Sequence, residues 1–206
     1  MGKKIALVTV ANRGIGFEVS KQLAAAGYHV ILSARDSEKI ADAAQDLIAK
    51  GFSAESLAMD VTKDAAIKEA ANAISKKYEH LSVLINNAGG NYDYDKSVTQ
   101  MDLNFAMDTI ELNLFSAWRV TMAFLPLLKR AQSSRIVNVS SGAGSHVDSN
   151  FGLNVLGGSV SAYGISKCAL NALTAKFASE LKKDGVLVNS VCPGFTATYP
   201  GAEAQG

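Results

Sequence analysis

Three observations predict a doubly wound parallel α/β sheet. Short unbroken apolar runs recur along the chain, as strands covered on both faces require. They alternate with stretches long enough to be crossover helices. Right-handed crossovers then limit the topologies, and six strands in the order 3-2-1-4-5-6 are the expectation.

The first strand is Ile5 to Val8. In the helix that follows, Ile15, Val19 and Leu23 recur every four residues on one face, Ala24 to Ala26 permit close packing on the sheet, and Gly27 closes the helix. Val30 to Leu32 is the second strand. Asp36 or Ser37 caps a helix with Ile40, Ala44, Leu47 and Ile48 on its inner face, ended by Gly51. The third strand is Ser56 to Met59, after which Thr62 caps the helix of Ile67, Ala70, Ala71 and Ile74. Val83 to Asn86 is the fourth strand. Asn91 to Asp102 is polar and reads as a loop. A long helical pattern then runs to Arg130 through Phe105, Ile110, Leu114, Trp118, Met122 and Leu125, which read as core or as a subunit contact, and Pro126 should kink or shorten it. The fifth strand is Arg135 to Val139, followed by a stretch rich in glycine and serine, a helix from Ala162 to Lys182, and a sixth strand from Val186 to Cys192.

A chain of 206 residues, 48% of them hydrophobic, suits one domain with a substantial core. Twenty basic and 19 acidic residues give a formal charge of +1, so no global field favours nucleic acid or an anionic membrane. Cys168 and Cys192 fall in a predicted helix and strand, where a small buried thiol is common; they make no disulfide framework and fit a reducing cytoplasm. No apolar run approaches the roughly 20 residues that span a bilayer. Nothing points to a metal.

The turn after the first strand holds Gly14 and Gly16. Without Cβ atoms the backbone there can approach a ligand, and the helix start offers unpaired N–H groups and a positive dipole to a pyrophosphate. A dinucleotide site is implied. Tyr163 and Lys167, in the run YGISK, stand four apart and share one helix face. An ammonium held near a phenol favours the phenolate, lowering the tyrosine pKa from about 10 and fitting it for general acid or base work.

These motifs, in this order, resemble the short-chain dehydrogenase/reductase family over nearly the whole chain. Thr9, Gly14, Ile15 and Gly16 fall in register with its TGxxxGxG loop, with Val10 where the family has its first glycine. Asp60-Val61 stands at the position that holds adenine, and Asn86-Asn87-Ala88-Gly89 matches the NNAG that stabilises the sheet and borders the cofactor. YGISK matches YxxxK, and Pro193-Gly194 matches the PG after the sixth strand.

The resemblance implies a Rossmann-type fold and NADPH-dependent reduction of ketones or aldehydes, reversible as an alcohol dehydrogenase, closest in pattern to carbonyl reductases. A non-catalytic NADP-binding regulatory homologue is the alternative. A subunit that only dimerises through its long helices is a third reading. The implied catalytic group is Asn113, Ser141, Tyr163 and Lys167, with Ser140 the rival of Ser141 and Asn113 holding a relay water. NADP(H) would meet Thr9, Asn12, Arg13, Gly14, Ile15, Gly16, Arg35, Asp60, Val61, Asn87, Ala88, Gly89, Tyr163, Lys167, Pro193, Gly194, Thr196 and Thr198. Arg13 and Arg35 occupy the two places from which the family grips the 2′-phosphate, which the planar guanidinium fork suits.

Two departures stand out besides Val10. Ser141 and Tyr163 are farther apart than in many members, so residues 145–161 carry an insertion; its Phe151, Leu153, Val155 and Leu156 either cover a dimer-forming helix, as in monomeric carbonyl reductases, or line the substrate pocket. Monomer and homo-oligomer both remain open. The chain ends at Gly206, where most members continue through a substrate-binding helix and a seventh strand, and so reads as a member truncated at its C-terminus.

Overall fold

Apolar residues of both parities in the strand runs leave no face for water, so helices must cover both sides of the sheet. The computed structural model, which describes residues 4–155, 157–194 and 196, has this arrangement. Strands β1 (Ile5–Thr9), β2 (His29–Ala34), β3 (Ala54–Ala58), β4 (Val83–Asn86), β5 (Ser134–Val139) and β6 (Val186–Val191) pair in parallel in the order β3-β2-β1-β4-β5-β6. Helices α1 (Gly14–Ala25) and α2 (Ser37–Ala49) cover one face, where Val8, Val30, Leu32 and Ile85 meet Ala24, Ile40 and Leu47. On the other face Leu7, Ile31, Leu84 and Ile136 pack against α3 (Asp64–Lys77), α5 (Ser116–Arg130) and α6 (Ser161–Leu181). A shorter helix, α4 (Leu103–Ile110), leads into α5 through a π-helical turn, Glu111–Phe115. None of the described helices is long and apolar enough to cross a membrane.

The expected sheet order holds, while several local expectations shift. The deepest residues of α1 are Gly16, Ser20 and Ala24; Ile15, Val19 and Leu23 are only half-buried. A helix lies closest to a sheet along its smallest side chains, so the larger ones flank that line. Ile48 in α2 is exposed, because Ala43 takes the inward position instead. Asp36, not Ser37, caps this helix by accepting from Lys39 N at 3.1 Å. Thr62 caps nothing: its N–H and hydroxyl both donate to Asp60, and Lys63 holds the N-cap position of α3. Strand β3 starts two residues and ends one residue earlier than expected, although Met59 N still reaches Ala34 O at 2.9 Å.

Pro126 does not end α5, which continues to Arg130. The carbonyl it leaves without an N–H belongs to Met122, on an exposed turn. Trp118 and Met122 are exposed and are therefore not core, whereas Phe105, Ile110, Leu114 and Leu125 are half-buried. Cys192 lies just beyond β6 and is exposed, its Sγ accepting from Gly142 N at 3.1 Å; Cys168 is half-buried in α6. Phe151 and Leu153 line a cavity of about 210 Å³ with Val98, Val160 and Ile165, beside the start of α6. Leu156 is outside the described residues.

A buried polar chain ties the middle of the sheet to two helices. Asn86 Nδ2 donates to Asn138 Oδ1 at 2.8 Å and to Thr121 Oγ1 at 3.0 Å, and Asn138 Nδ2 donates to Thr174 Oγ1 at 2.8 Å. Both asparagines are fully enclosed, so water cannot replace a lost partner. Asn138→Ala should therefore lower the unfolding free energy by about 2 kcal/mol, read from urea melts. A loss under about 0.5 kcal/mol would mean that this chain is not cooperative with the fold.

Candidate active site

The site gathers at the carboxyl ends of β1, β4 and β5, where the order of the strands reverses. Thr9, only 1% exposed, accepts from Asn87 N at 2.9 Å and Ala88 N at 3.2 Å, and donates to Ile85 O at 3.3 Å. Asn87 Nδ2 returns to Thr9 O and Val10 O, both at 3.0 Å. Thr9 and Asn87 thus lock the first loop to the end of β4 through their side chains.

Val10 has φ +51, in the left-handed region that strains a β-branched residue. Backbone strain is thus the cost of placing valine where the family has its first glycine. A Cβ on Gly16 would lie 2.5 Å from Val10 O and 2.6 Å from Asn87 Nδ2, so only glycine fits there. The first turn of α1 has no acidic residue and no side-chain cap, leaving its N-terminus open to an anion. Arg13, at the N-cap of α1, is exposed, as is Arg35 just beyond β2; Asn12 and Arg13 share a cavity of about 350 Å³ with Phe17, Lys39, Asp42 and Asp46. Asp60 is half-buried and tied to Thr62, Val61 is buried, and Arg35 is close enough to act on Asp60 by its charge. Ile15 and Gly14 are half-buried, and Pro193, Gly194 and Thr196 are exposed. Thr198 lies outside the described residues.

Asn113 sits in the π-helical turn and is fully buried. Its amide donates to Gly90 O and Ser166 Oγ, each at 3.0 Å, and Oδ1 accepts from Gly90 N at 2.9 Å. Both amide hydrogens are engaged, so the expected relay water would find only a lone pair on Oδ1. Its visible work is to anchor Gly90. A Cβ on the adjoining Gly89 would come within 3.0 Å of Lys167 Nζ and 3.2 Å of Asn113 Oδ1, so this bare backbone borders both side chains.

Lys167 is 2% exposed and donates to Val139 O at 2.8 Å. Among the described residues this is the only hydrogen-bond partner of Nζ, leaving two donors for hydroxyl groups beside Gly89. That pair of open donors fits a nucleotide ribose. Burial pulls the ammonium down to about 8. Tyr163 is 7% exposed, and its hydroxyl interacts with those of Ser141 and Tyr92. The phenol is pushed up, not down as expected, by burial first and then by Tyr92, with Ser141 opposing. The physical reason is placement: Nζ is anchored on Val139 and lies 5.7 Å from the Tyr163 ring centre, while Tyr92 packs on that ring at 4.6 Å. Ser141 is the serine in reach; the Ser140 hydroxyl is buried without a partner.

Sequence reasoning missed Tyr92 and Tyr94, two exposed rings that stack at 5.7 Å and, with Tyr92 on the buried Tyr163, form an aromatic stair. The available signal was their alternation directly after NNAG. It also missed Ser166, whose hydroxyl receives Asn113, and Lys39 beside Arg13.

Residues 4–205 match the family described as short chain dehydrogenase. An uncharacterized oxidoreductase of Bacillus subtilis (strain 168) is 33% identical over 200 residues, spanning 96% of this chain and 73% of its own. Among solved structures, a metagenomic short-chain oxidoreductase in complex with NADP superposes with a TM-score of 0.80 at 33% identity, covering 93% of this chain and 82% of that one. A variant actinorhodin polyketide ketoreductase with NADPH gives 0.83 at 30% identity, covering 97% and 73%.

The depressed Lys167 titration has a measurable consequence for stability. Between pH 8 and 10.5 the unfolded chain binds the lysine proton and the folded protein does not, so stability rises with pH across that window. Relative to Lys167→Met, the parent should gain roughly 3 kcal/mol of unfolding free energy between pH 7 and pH 10.5. Urea melts of both proteins at the two pH values check this, since other alkaline titrations cancel in the difference. A constant gap would place the ammonium in a water-like environment.

Proposed function

The chain belongs to the short chain dehydrogenase family, and from that premise we propose that it reduces a ketone or aldehyde to an alcohol with NADPH, reversibly. The observation that carries the reading is the meeting of Tyr163, Ser141 and Lys167 at the carboxyl end of β5, beside Gly89. When bound, NADPH supplies the hydride. Lys167 holds ribose hydroxyls with its two open donors, and the uncapped start of α1 holds the pyrophosphate. Arg13 and Arg35 supply the fork for a 2′-phosphate, in keeping with the NADP and NADPH bound by the two structural relatives.

Ser141 orients the substrate carbonyl oxygen by donating to it, and Tyr163 delivers the proton that makes the alcohol. A phenol with its pKa raised is protonated at neutral pH, as a proton donor must be. Alcohol oxidation needs the phenolate, so that direction should strengthen as the medium becomes alkaline. The ketoreductase relative supports the carbonyl as the reacting group.

Tyr163→Phe should cut NADPH-dependent reduction by a factor on the order of 10² to 10⁴ while NADPH affinity stays within about twofold, because the acid is removed and the ribose clamp is kept. Rates over a panel of aryl ketones, aldehydes, keto esters and steroids, with fluorescence titration by Trp118, provide both readings. Substantial residual turnover would move the proton donor elsewhere.

Val10 carries a strain of roughly 1 to 3 kcal/mol at the mouth of the loop. Binding would hold the first loop in this conformation, which the unliganded loop can relax from, so Val10→Gly should tighten NADPH about tenfold, some 1.4 kcal/mol. Equal affinity in the two proteins would make the valine harmless to the cofactor.

A further inference from the structure

Helix α6, which carries Tyr163 and Lys167, begins without a cap of its own. The preceding residue is Val160, at φ +54, whose apolar side chain has no acceptor to offer the first turn. The orphan N–H groups are met from elsewhere. Asp93, some 70 residues earlier in the chain, directs its carboxylate at them: Oδ2 accepts from Ala162 N at 2.9 Å and Ser161 Oγ at 3.3 Å, and Oδ1 accepts from Tyr163 N at 3.2 Å. Its backbone carbonyl also takes Val160 N at 3.1 Å.

Asp93 is 1% exposed and forms no ion pair with a side chain among the described residues. A buried carboxylate in that state needs compensation, and the positive end of a 21-residue helix supplies it. The residue before it, Tyr92, lays its ring on the ring of Tyr163. Two consecutive residues thus hold the same tyrosine at two points, by its backbone N–H and by its ring. At the other end of the same loop, Gly90 is fixed by Asn113.

We propose that Asp93 is a positioning residue that seats Tyr163 for proton transfer, acting as the N-cap that α6 lacks in its own sequence. The proposal rests on Tyr163 as proton donor. Asp93 touches neither substrate nor cofactor in this role; it sets the height and rotation of the first turn, and so the position of the phenol against Ser141. A small displacement there acts on the chemical step more than on cofactor binding, because Lys167 is anchored separately on Val139.

Asp93→Asn preserves volume but gives up the charge and one acceptor. Three readings decide the matter: amide hydrogen exchange by NMR, kcat counted per NADPH-binding site, and the Kd for NADPH. In Asp93→Asn, exchange at Ala162 and Tyr163 should accelerate about tenfold and kcat should fall about tenfold, with Kd for NADPH within about twofold of the parent. Unchanged exchange overturns the cap, and faster exchange with unchanged kcat overturns the positioning role. Should Asp93→Asn fail to fold, Ser161→Ala removes only the longest of the carboxylate bonds; a kcat lowered about threefold at unchanged Kd supports the proposal, and an unchanged kcat overturns it. A parent without carbonyl turnover would instead refute the proposed function, and the exchange reading alone would then judge the cap.

Discussion

The hydroxyl of Thr9 is the contact on which the arrangement of the site depends. By accepting from Asn87 and Ala88 and donating to Ile85, it fixes the ends of β1 and β4 against each other at the point where the strand order reverses. From that junction one loop runs to the open start of α1, and the other runs through Gly89 and Gly90 to Asn113. Asn113 passes the connection to Ser166 on α6, one residue from Lys167. The elements that would hold a dinucleotide and the helix that carries Tyr163 are therefore connected by charge-neutral hydrogen bonds, buried or partly buried. Such bonds depend strongly on geometry once water is excluded, which gives a small junction control over distant side chains.

The site holds several locally unfavourable features. Val10 is strained in the left-handed region, and Lys167 is a buried ammonium with a single carbonyl partner among the described residues. Tyr163 is a buried phenol among other tyrosines, and Ser140 has an enclosed hydroxyl without a partner. Elsewhere the two faces of the sheet are closed by aliphatic side chains of both parities. A core of that kind tolerates a few local penalties, at the site as at orphaned hydroxyls such as those of Ser33 and Ser134.

Charged and aromatic side chains fall on different sides of the site. Arg13 and Lys39 lie toward α1 and α2, on a cavity they share with Asp42 and Asp46. Tyr92 and Tyr94 lie toward α6, where Phe151 and Leu153 line a separate apolar cavity. The carbonyl chemistry proposed for this protein falls between them, at Ser141 and Tyr163.

The sequence by itself determined that there are six strands and where the motifs fall along the chain, because these are written in local pattern; the strand order followed from the handedness of crossovers between them. Apolar runs mark strands buried on both faces, glycines mark close turns, and a spacing of four places Tyr163 and Lys167 on one face of a helix. Tertiary structure decided what periodicity does not encode. It put Val10 at positive φ, exposed Ile48, and chose Ser141 over Ser140 as the hydroxyl near Tyr163. It reversed the expected direction of the Tyr163 titration, because burial and Tyr92 reach the phenol while Lys167 is drawn to Val139. It also brought Asp93, read in the sequence only as part of a polar loop, onto the first turn of α6. Hydrogen-bond partners and burial arise from residues distant in the chain, and a local pattern carries no record of which distant atom will arrive.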